Sequence, residues 1–239
     1  MSMSERGFVM DVKFELTGES KVNDWGVTVH RIRALVDIPR HGVKAGDVGG
    51  WVESVELSNG GAWVFGDAEV FGDAEVSGNA QVFGNARVSG NARVSGDARV
   101  SGNARVSGNA RVSGNAQVSG NAQVFGDAEV FGDAQVSGNA QVSGNARVSG
   151  NAQVERANQF LIVAPIGSEG VTASLYRTKN GKHELVVGCW TGTLGTLSAE
   201  VKRRRESWGG TDADHVRWVA QYKALKALGK ATVSAWERE

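Results

Sequence analysis

From Val64 to Val154 apolar and polar positions recur in one six-residue frame, Val-(Ser/Phe)-Gly-(Asn/Asp)-Ala-(Arg/Gln/Glu), without interruption. Starts at Val64, Val70 and onward to Val148 give 15 units. Side chains alternate faces along an extended strand, so the Ala and Val of each Ala-x-Val point the same way. They must face inward, because the residue between them is always charged or an amide. That residue and the following Ser or Phe face out. Gly-Asn or Gly-Asp then supplies a corner, these being the residues that best tolerate positive φ. Three short flat strands and three corners close a triangular prism with eighteen residues per coil. Fifteen units predict five coils, roughly 24 Å at about 4.8 Å per coil.

Residues eighteen apart should stack. One outward row holds Trp63, Gln81, Arg99, Gln117, Gln135 and Gln153; a second holds Glu69, Arg87, Arg105, Gln123 and Gln141. The third, Glu75, Arg93, Arg111, Glu129 and Arg147, reads as a ladder of opposite charges at its ends. Corner Asn85, Asn103, Asn121 and Asn139 should form an amide ladder like those of cross-β stacks. Outward Phe65, Phe71 and Phe83 fall in the first coils, and Phe125 and Phe131 near one another later. Clustered exposed aromatics call for a cover.

Outside the frame the pattern changes. Residues 1–63 read as a β capping module, needed because an open solenoid exposes strand edges at its ends. Val12 to Leu16 alternates and Val27 to Val36 is β-branched, so both read as strands, with a turn over Gly18 to Gly26. Pro39, Gly42, Gly46, Gly49 and Gly50 predict irregular backbone with tight turns. Leu57 to Trp63 looks like a degenerate first unit with one inserted residue. Residues 155–239 read as a small α+β domain. Strands are expected over Phe160–Val163, Val171–Thr178 and His183–Trp190, the last two joined by a type I′ turn at Asn180-Gly181. A helix capped by Thr193 or Thr196 should run to about Glu206. A second, from Thr211 or Asp212, should bury Val216, Val219, Tyr222, Leu225 and Leu228.

Composition narrows the chemistry. The chain has 26 basic and 26 acidic residues, and residues 155–239 carry 13 basic against 9 acidic. That excess is too small to imply nucleic acid by itself. Cys189 is the only cysteine, which points to a reducing compartment. With no signal pattern and no apolar run long enough to span a bilayer, a cytoplasmic protein is expected. Residues 64–154 contain no His, Cys, Lys or Thr. Neither an acid–base pair nor a zinc site can be assembled there. The prism therefore reads as a scaffold, and no cofactor or metal is expected.

The six-residue spacing resembles the hexapeptide rule of left-handed parallel β-helices, which implies left-handed coiling and, commonly, homotrimers. On that resemblance the five outward phenylalanines become oligomer-interface candidates. Further segments carry a narrower resemblance: Glu15-Leu-Thr-Gly18, His30 to Leu35, Gly46-Asp-Val-Gly-Gly-Trp51, Ile166-Gly-Ser168, Tyr176-Arg-Thr-Lys179 and Gly188-Cys-Trp190-Thr-Gly-Thr193. Together they are similar to phage- and prophage-encoded hexapeptide-repeat proteins, often labelled transferase-like. Where such relatives continue Ile-Gly-Ser with Arg, this chain has Glu169-Gly170.

Ligand candidates follow from the unrepetitive final third: Ser168, Arg177, Lys179 and Trp190. Arg177 and Lys179, two apart on one expected strand face, would suit a phosphate or carboxylate. His183 and Cys189 are further candidates, and Lys202 to Arg205 is a basic helix face whose plainest reading is solvation. The expected function is a non-catalytic binding scaffold of phage or prophage origin. It would display domains that bind a host macromolecule or a small, anionic ligand, with interference in host defence as its use. An acyl- or acetyltransferase borrowing His183 or His215, and a structural virion component, are the alternatives.

Overall fold

The computed structural model describes residues 13–54 and 60–236. Within them the sequence frame becomes sixteen two-residue strands, β4 (Trp63–Val64) to β19 (Gln153–Val154), one every six residues. Each strand up to β16 pairs in parallel with the strand eighteen residues on, as Arg99 with Gln117 and Val100 with Val118. Three sheets result, one per prism face. Ala86, Val88, Ala104, Val106 and their equivalents are fully buried, so the two inward rows form one continuous core. The fold is a parallel β-solenoid.

Both ladders are present. Asn85 Nδ2 donates to Asn103 Oδ1 (3.2 Å), Asn103 to Asn121 (3.1 Å) and Asn121 to Asn139 (3.1 Å). On the charged face Arg93 meets Glu75 at 3.3 Å, and Arg111 and Arg147 flank Glu129 at 3.8 and 3.1 Å. Such exposed pairs contribute at most about 1 kcal/mol each. At every corner only the glycine takes positive φ; the asparagines stay at negative φ, and those from Asn85 to Asn121 spend their side chains on the ladders.

The prism is longer than five coils because it starts earlier. Strand β3 (Val48–Val52) pairs in parallel with β5 (Glu69–Val70), Trp51 opposite Glu69 and Val52 opposite Val70. It is a rung in all but sequence, and the total comes to about six turns. Trp51 and Trp63 each pair with the residue eighteen on, so the register needs no inserted residue between them. Leu57, Ser58 and Asn59 of the degenerate unit lie outside the described residues. Gly49 and Gly50 belong to this rung rather than to a turn. A Cβ on either would come within 2.7 Å of the Val64 or Ala68 carbonyl oxygen, so the close approach itself demands glycine.

The N-terminal module continues the same sheet outward through β1 (Phe14–Val22) and β2 (Thr28–Ala34), in the order β1-β2-β3-β5. Val12, the expected start of β1, is outside the described residues. β1 runs through Gly18, where a register shift between Leu16 and Ser20 replaces the expected turn. The actual turn is Asn23 to Gly26, with Asn23 Oδ1 accepting from the Trp25 and Val27 amides. Phe14, Ile32, Ile38 and Val43 join the prism core over Trp63, which is buried rather than outward. The tip folds down the prism side. Trp25 packs on Phe71 (5.2 Å between rings), and Asp24 pairs with Arg87 at 2.8 Å.

The other end is closed by a four-stranded antiparallel sheet of β20 (Phe160–Ile166), β21 (Val171–Arg177), β22 (His183–Val187) and β23 (Trp190–Gly192). Alternation along β21 splits its side chains. Ser174 and Tyr176 face the last coil, while Ala173 and Leu175 pack under the helices. Ser174 Oγ accepts from the Arg147 amide (3.1 Å), and Tyr176 Oη accepts from the Ser149 amide (3.3 Å) while donating to Glu184 (2.5 Å). The last-rung backbone groups thus find partners instead of an open edge. Burial, then Glu184, pushes the Tyr176 phenol far above its ordinary pKa. Helices α1 (Leu197–Arg205) and α2 (Asp212–Trp236) cover the outer face. Thr211 and Asp214 cap α2 reciprocally, amide to side chain at 3.0 and 3.2 Å. α2 buries Leu225, Gly229 and Trp236, whereas the expected Val216 and Leu228 are 66% and 50% exposed.

Two further expectations differ. Asn180 lacks positive φ, so the β21–β22 connection is a longer loop with Gly181 in the left-handed position and Thr178 N donating to Lys182 O. The strand expected over His183–Trp190 breaks at Gly188-Cys189. The cysteine is therefore exposed in a turn, not buried in a strand.

Candidate functional site

A cleft of about 600 Å³ opens where the β20–β21 turn, the β22–β23 turn and the start of α2 meet. Ser168, Cys189, Arg203, Arg204, Trp208 and Trp218 are among its lining residues, with Glu169 at the rim and Tyr222 at the back. Helical spacing explains the arginines. Glu200, Arg203 and Arg204 sit at i, i+3 and i+4 of α1 and so share one face. Both guanidiniums grip one carboxylate, Arg203 through Nε (2.9 Å) and Nη2 (2.7 Å), Arg204 through Nε (2.6 Å). Arg203 first, then Arg204, holds the Glu200 carboxyl down to about 2. Arg204 Nη2 also donates to Cys189 Sγ at 3.4 Å.

The opposite wall is aromatic. Trp208 stacks on Tyr222 (6.2 Å, 19° between planes) and meets Trp218 edge-on at 5.5 Å. Tyr222 is half-buried, and burial raises its phenol pKa, with Arg204 opposing. Gly167 lies against the Tyr222 ring, and its amide donates to Gln221 Oε1 at 3.0 Å, fixing the turn that presents Ser168. With Glu200 and Glu169 beside two arginines the cleft is close to neutral. Its chemistry is stacking plus directed donors: a place for a flat, polar molecule.

Of the four ligand candidates, Ser168 lines this cleft and Trp190 lines a narrow pocket beside it, shared with Arg204, Trp208 and Tyr222. Arg177 and Lys179 stand at the opposite end of β21. They do not share a strand face: β21 ends at Arg177, and Lys179 lies in the following loop, its amide donating to Asn151 O at 2.9 Å. Both histidines are occupied. The Leu194 amide donates to His183 Nε2 (3.2 Å), and His215 Nε2 contacts Gly209 O at 3.0 Å. Sequence reasoning missed Trp208, Trp218 and Tyr222. The density of aromatics on both sides of the Gly209-Gly210 break was the available signal.

The outward phenylalanines do not form the expected clusters but divide among the three faces. Phe65 and Phe83 flank one set of rungs, Phe71 and Phe125 a second, and Phe131 the third. Phe71 is buried by the chain's own Trp25 and Trp51, and Phe65 meets His41 edge-on, so their cover is intramolecular. Phe83 is half-buried, Phe125 is 37% exposed, and Phe131 lies beneath the Arg147 guanidinium at 5.4 Å.

Five stretches of the chain, residues 80–96, 92–106, 98–114, 104–120 and 140–156, match the YdcK Beta solenoid repeat family. The prism is a β-solenoid repeat. Four of the matches fall within it and the fifth ends two residues past Val154, so they cover the stretch where the sequence frame and the eighteen-residue register agree. No curated protein matches the chain. Among the described residues, no helix is long and apolar enough to cross a membrane, and no group of three His, Cys, Asp or Glu is placed to hold a metal ion.

Proposed function

We propose that the protein is a non-catalytic binding scaffold in which the β-solenoid holds a C-terminal recognition module. One observation carries this reading. The aromatic and cationic groups converge on a cleft in the sheet-and-helix cap, whereas residues 64–154 lack His, Cys and Lys altogether. The cap is anchored through Ser174 and Tyr176 to the last coil, so the cleft rides on a rigid shaft. Its ligand is a flat, polar small molecule that stacks on Trp208 and takes donors from Arg203 and Arg204.

Tryptophan fluorescence and thermal shift against a library of planar polar metabolites test this. Quenching with a raised melting temperature, both abolished in Trp208→Ala, is expected. Turnover of acetyl-coenzyme A by the full chain would overturn it. A homotrimer packed along the prism faces belongs to the same reading, supported by exposed Phe125 and half-buried Phe83 and Phe131. A monomeric mass by light scattering at micromolar concentration would remove it. The resemblance of the Gly46–Trp51 and Ile166–Thr193 segments supports a phage or prophage origin and a partner in the host.

A further inference from the structure

The second face of α1 does something different from the first. Ser198, Val201, Lys202 and Arg205 fall at i, i+3, i+4 and i+7, and on α2 Val219, Tyr222, Lys223 and Lys226 repeat the same spacing. The two stripes face each other across a groove of about 190 Å³. Its floor is apolar, from Leu197, Val201, Val219 and the Tyr222 ring, and its rim carries Lys202, Arg205 and Lys223. No carboxylate lines it. Glu200, the one acidic residue within α1, is turned to the opposite face and held by Arg203 and Arg204. Lys202, Arg205 and Lys223 are exposed and appear in no ion pair among the described residues. A stripe of this kind has two needs, a cover for the valines and counter-charge for the rim.

We infer that this groove docks an acidic peptide segment bearing one or two large apolar side chains. The apolar anchors would sit on Val201 and Val219, and flanking carboxylates would pair with Lys202, Arg205 and Lys223. Charge complementarity selects the occupant: a neutral apolar segment leaves three cations beside it without partners, and a purely acidic one leaves the floor wet. α1 has nine residues, about 13 Å of axis, so about two turns of a bound helix fit alongside. Tyr222 forms a wall of both this groove and the cleft, yet the groove lies on the other side of α1 and its occupancy does not require the cleft's ligand.

The test uses the full chain and fluorescein-labelled peptides of about eight residues, read by fluorescence anisotropy. One peptide sets a leucine and a phenylalanine among glutamates. A second replaces the glutamates by lysine, and a third replaces the two apolar residues by alanine. Micromolar binding of the first alone is expected, weakening as salt rises. The Lys202→Glu, Lys223→Glu double variant should bind it at least tenfold more weakly. These lysines are exposed, so an unchanged melting temperature is expected and separates lost docking from lost fold. Trp208→Ala should leave peptide binding intact even where it abolishes the cleft's ligand. The inference is overturned if the first peptide shows no binding at millimolar concentration, if the lysine peptide binds equally, or if the double variant binds as tightly as the parent. Tighter capture of decanoate or of a single-stranded oligonucleotide by the same lysines would also overturn it.

Discussion

Replacing Gly102 by alanine should cost far more than the same change at Gly150, although both are corner glycines of the same unit with similar backbone. Their φ values are +66° and +59°, so an alanine Cβ incurs the left-handed penalty at either, about 1–2 kcal/mol. The surroundings differ. A Cβ at Gly102 would lie 3.0 Å from both the amide nitrogen and the carbonyl oxygen of Gly120 in the next coil, and that backbone is pinned by its own ladder. At Gly150 the nearest atom is Glu184 Oε1 at 3.8 Å, ordinary contact, because the prism has ended. Forcing the coils apart adds an overpacking cost of about 1–3 kcal/mol. Gly102→Ala should therefore lose about 2–5 kcal/mol and Gly150→Ala about 1–2 kcal/mol. Urea unfolding followed by far-UV circular dichroism and tryptophan fluorescence measures both, with the slope checked for loss of two-state behaviour in a repeat array. Equal losses would show that coil-to-coil approach at the corner contributes nothing, and the steric reasoning would fail.

Three more outcomes follow from the contacts described. Tyr176→Phe leaves the half-buried Ser149 amide and Glu184 without the phenol, so a loss of about 1–3 kcal/mol is expected, seen as a lower urea midpoint. The Glu200 carboxyl should titrate near 2 by carbon-13 NMR. Its folded pKa is depressed, so the stability it adds is present above the unfolded value of 4.5 and disappears as pH falls towards 2; Glu200→Gln should flatten that part of the acid unfolding profile. Arg40→Ala removes an exposed 2.6 Å contact to Asp97 and should change stability by less than about 1 kcal/mol in the same urea assay.

The solenoid was legible because each unit repeats the same inward pair, and fifteen repetitions leave no competing period. The first rung was not, since Val48 to Val52 shares the pleat and register of the units without their residues. What identifies it as a rung is the pairing of Trp51 with Glu69, a contact across eighteen residues. Phe71 misled for a related reason: its position faces outward by period, and Trp25 and Trp51, from outside the repeat, bury it. On α2 the expected face holds at its centre, where Leu225 is buried and Tyr222 packs on the core, and fails at its two ends, where Val216 and Leu228 are exposed. The stripe continues through Gly229 instead of Leu228, because Gly229 admits Leu194 and Leu175 against the helix backbone, a small-residue contact that a hydrophobic stripe does not announce. The basic run Lys202 to Arg205 was visible as charge. Its division between two faces is a matter of one hundred degrees per residue, and so is the difference between arginines neutralised by Glu200 and cations that appear in no ion pair among the described residues.

A strict eighteen-residue register also makes the length of the chain a geometric setting. Removing or adding one full coil within residues 86–140 moves the C-terminal cap along the shaft by about 4.8 Å and leaves its azimuth unchanged. Removing six residues instead turns the cap by about a third of a revolution relative to Trp25 and the N-terminal hairpin, with every Ala and Val still inward. Reach and orientation are thus separately adjustable by unit-sized duplications and deletions, and each intermediate keeps a closed core.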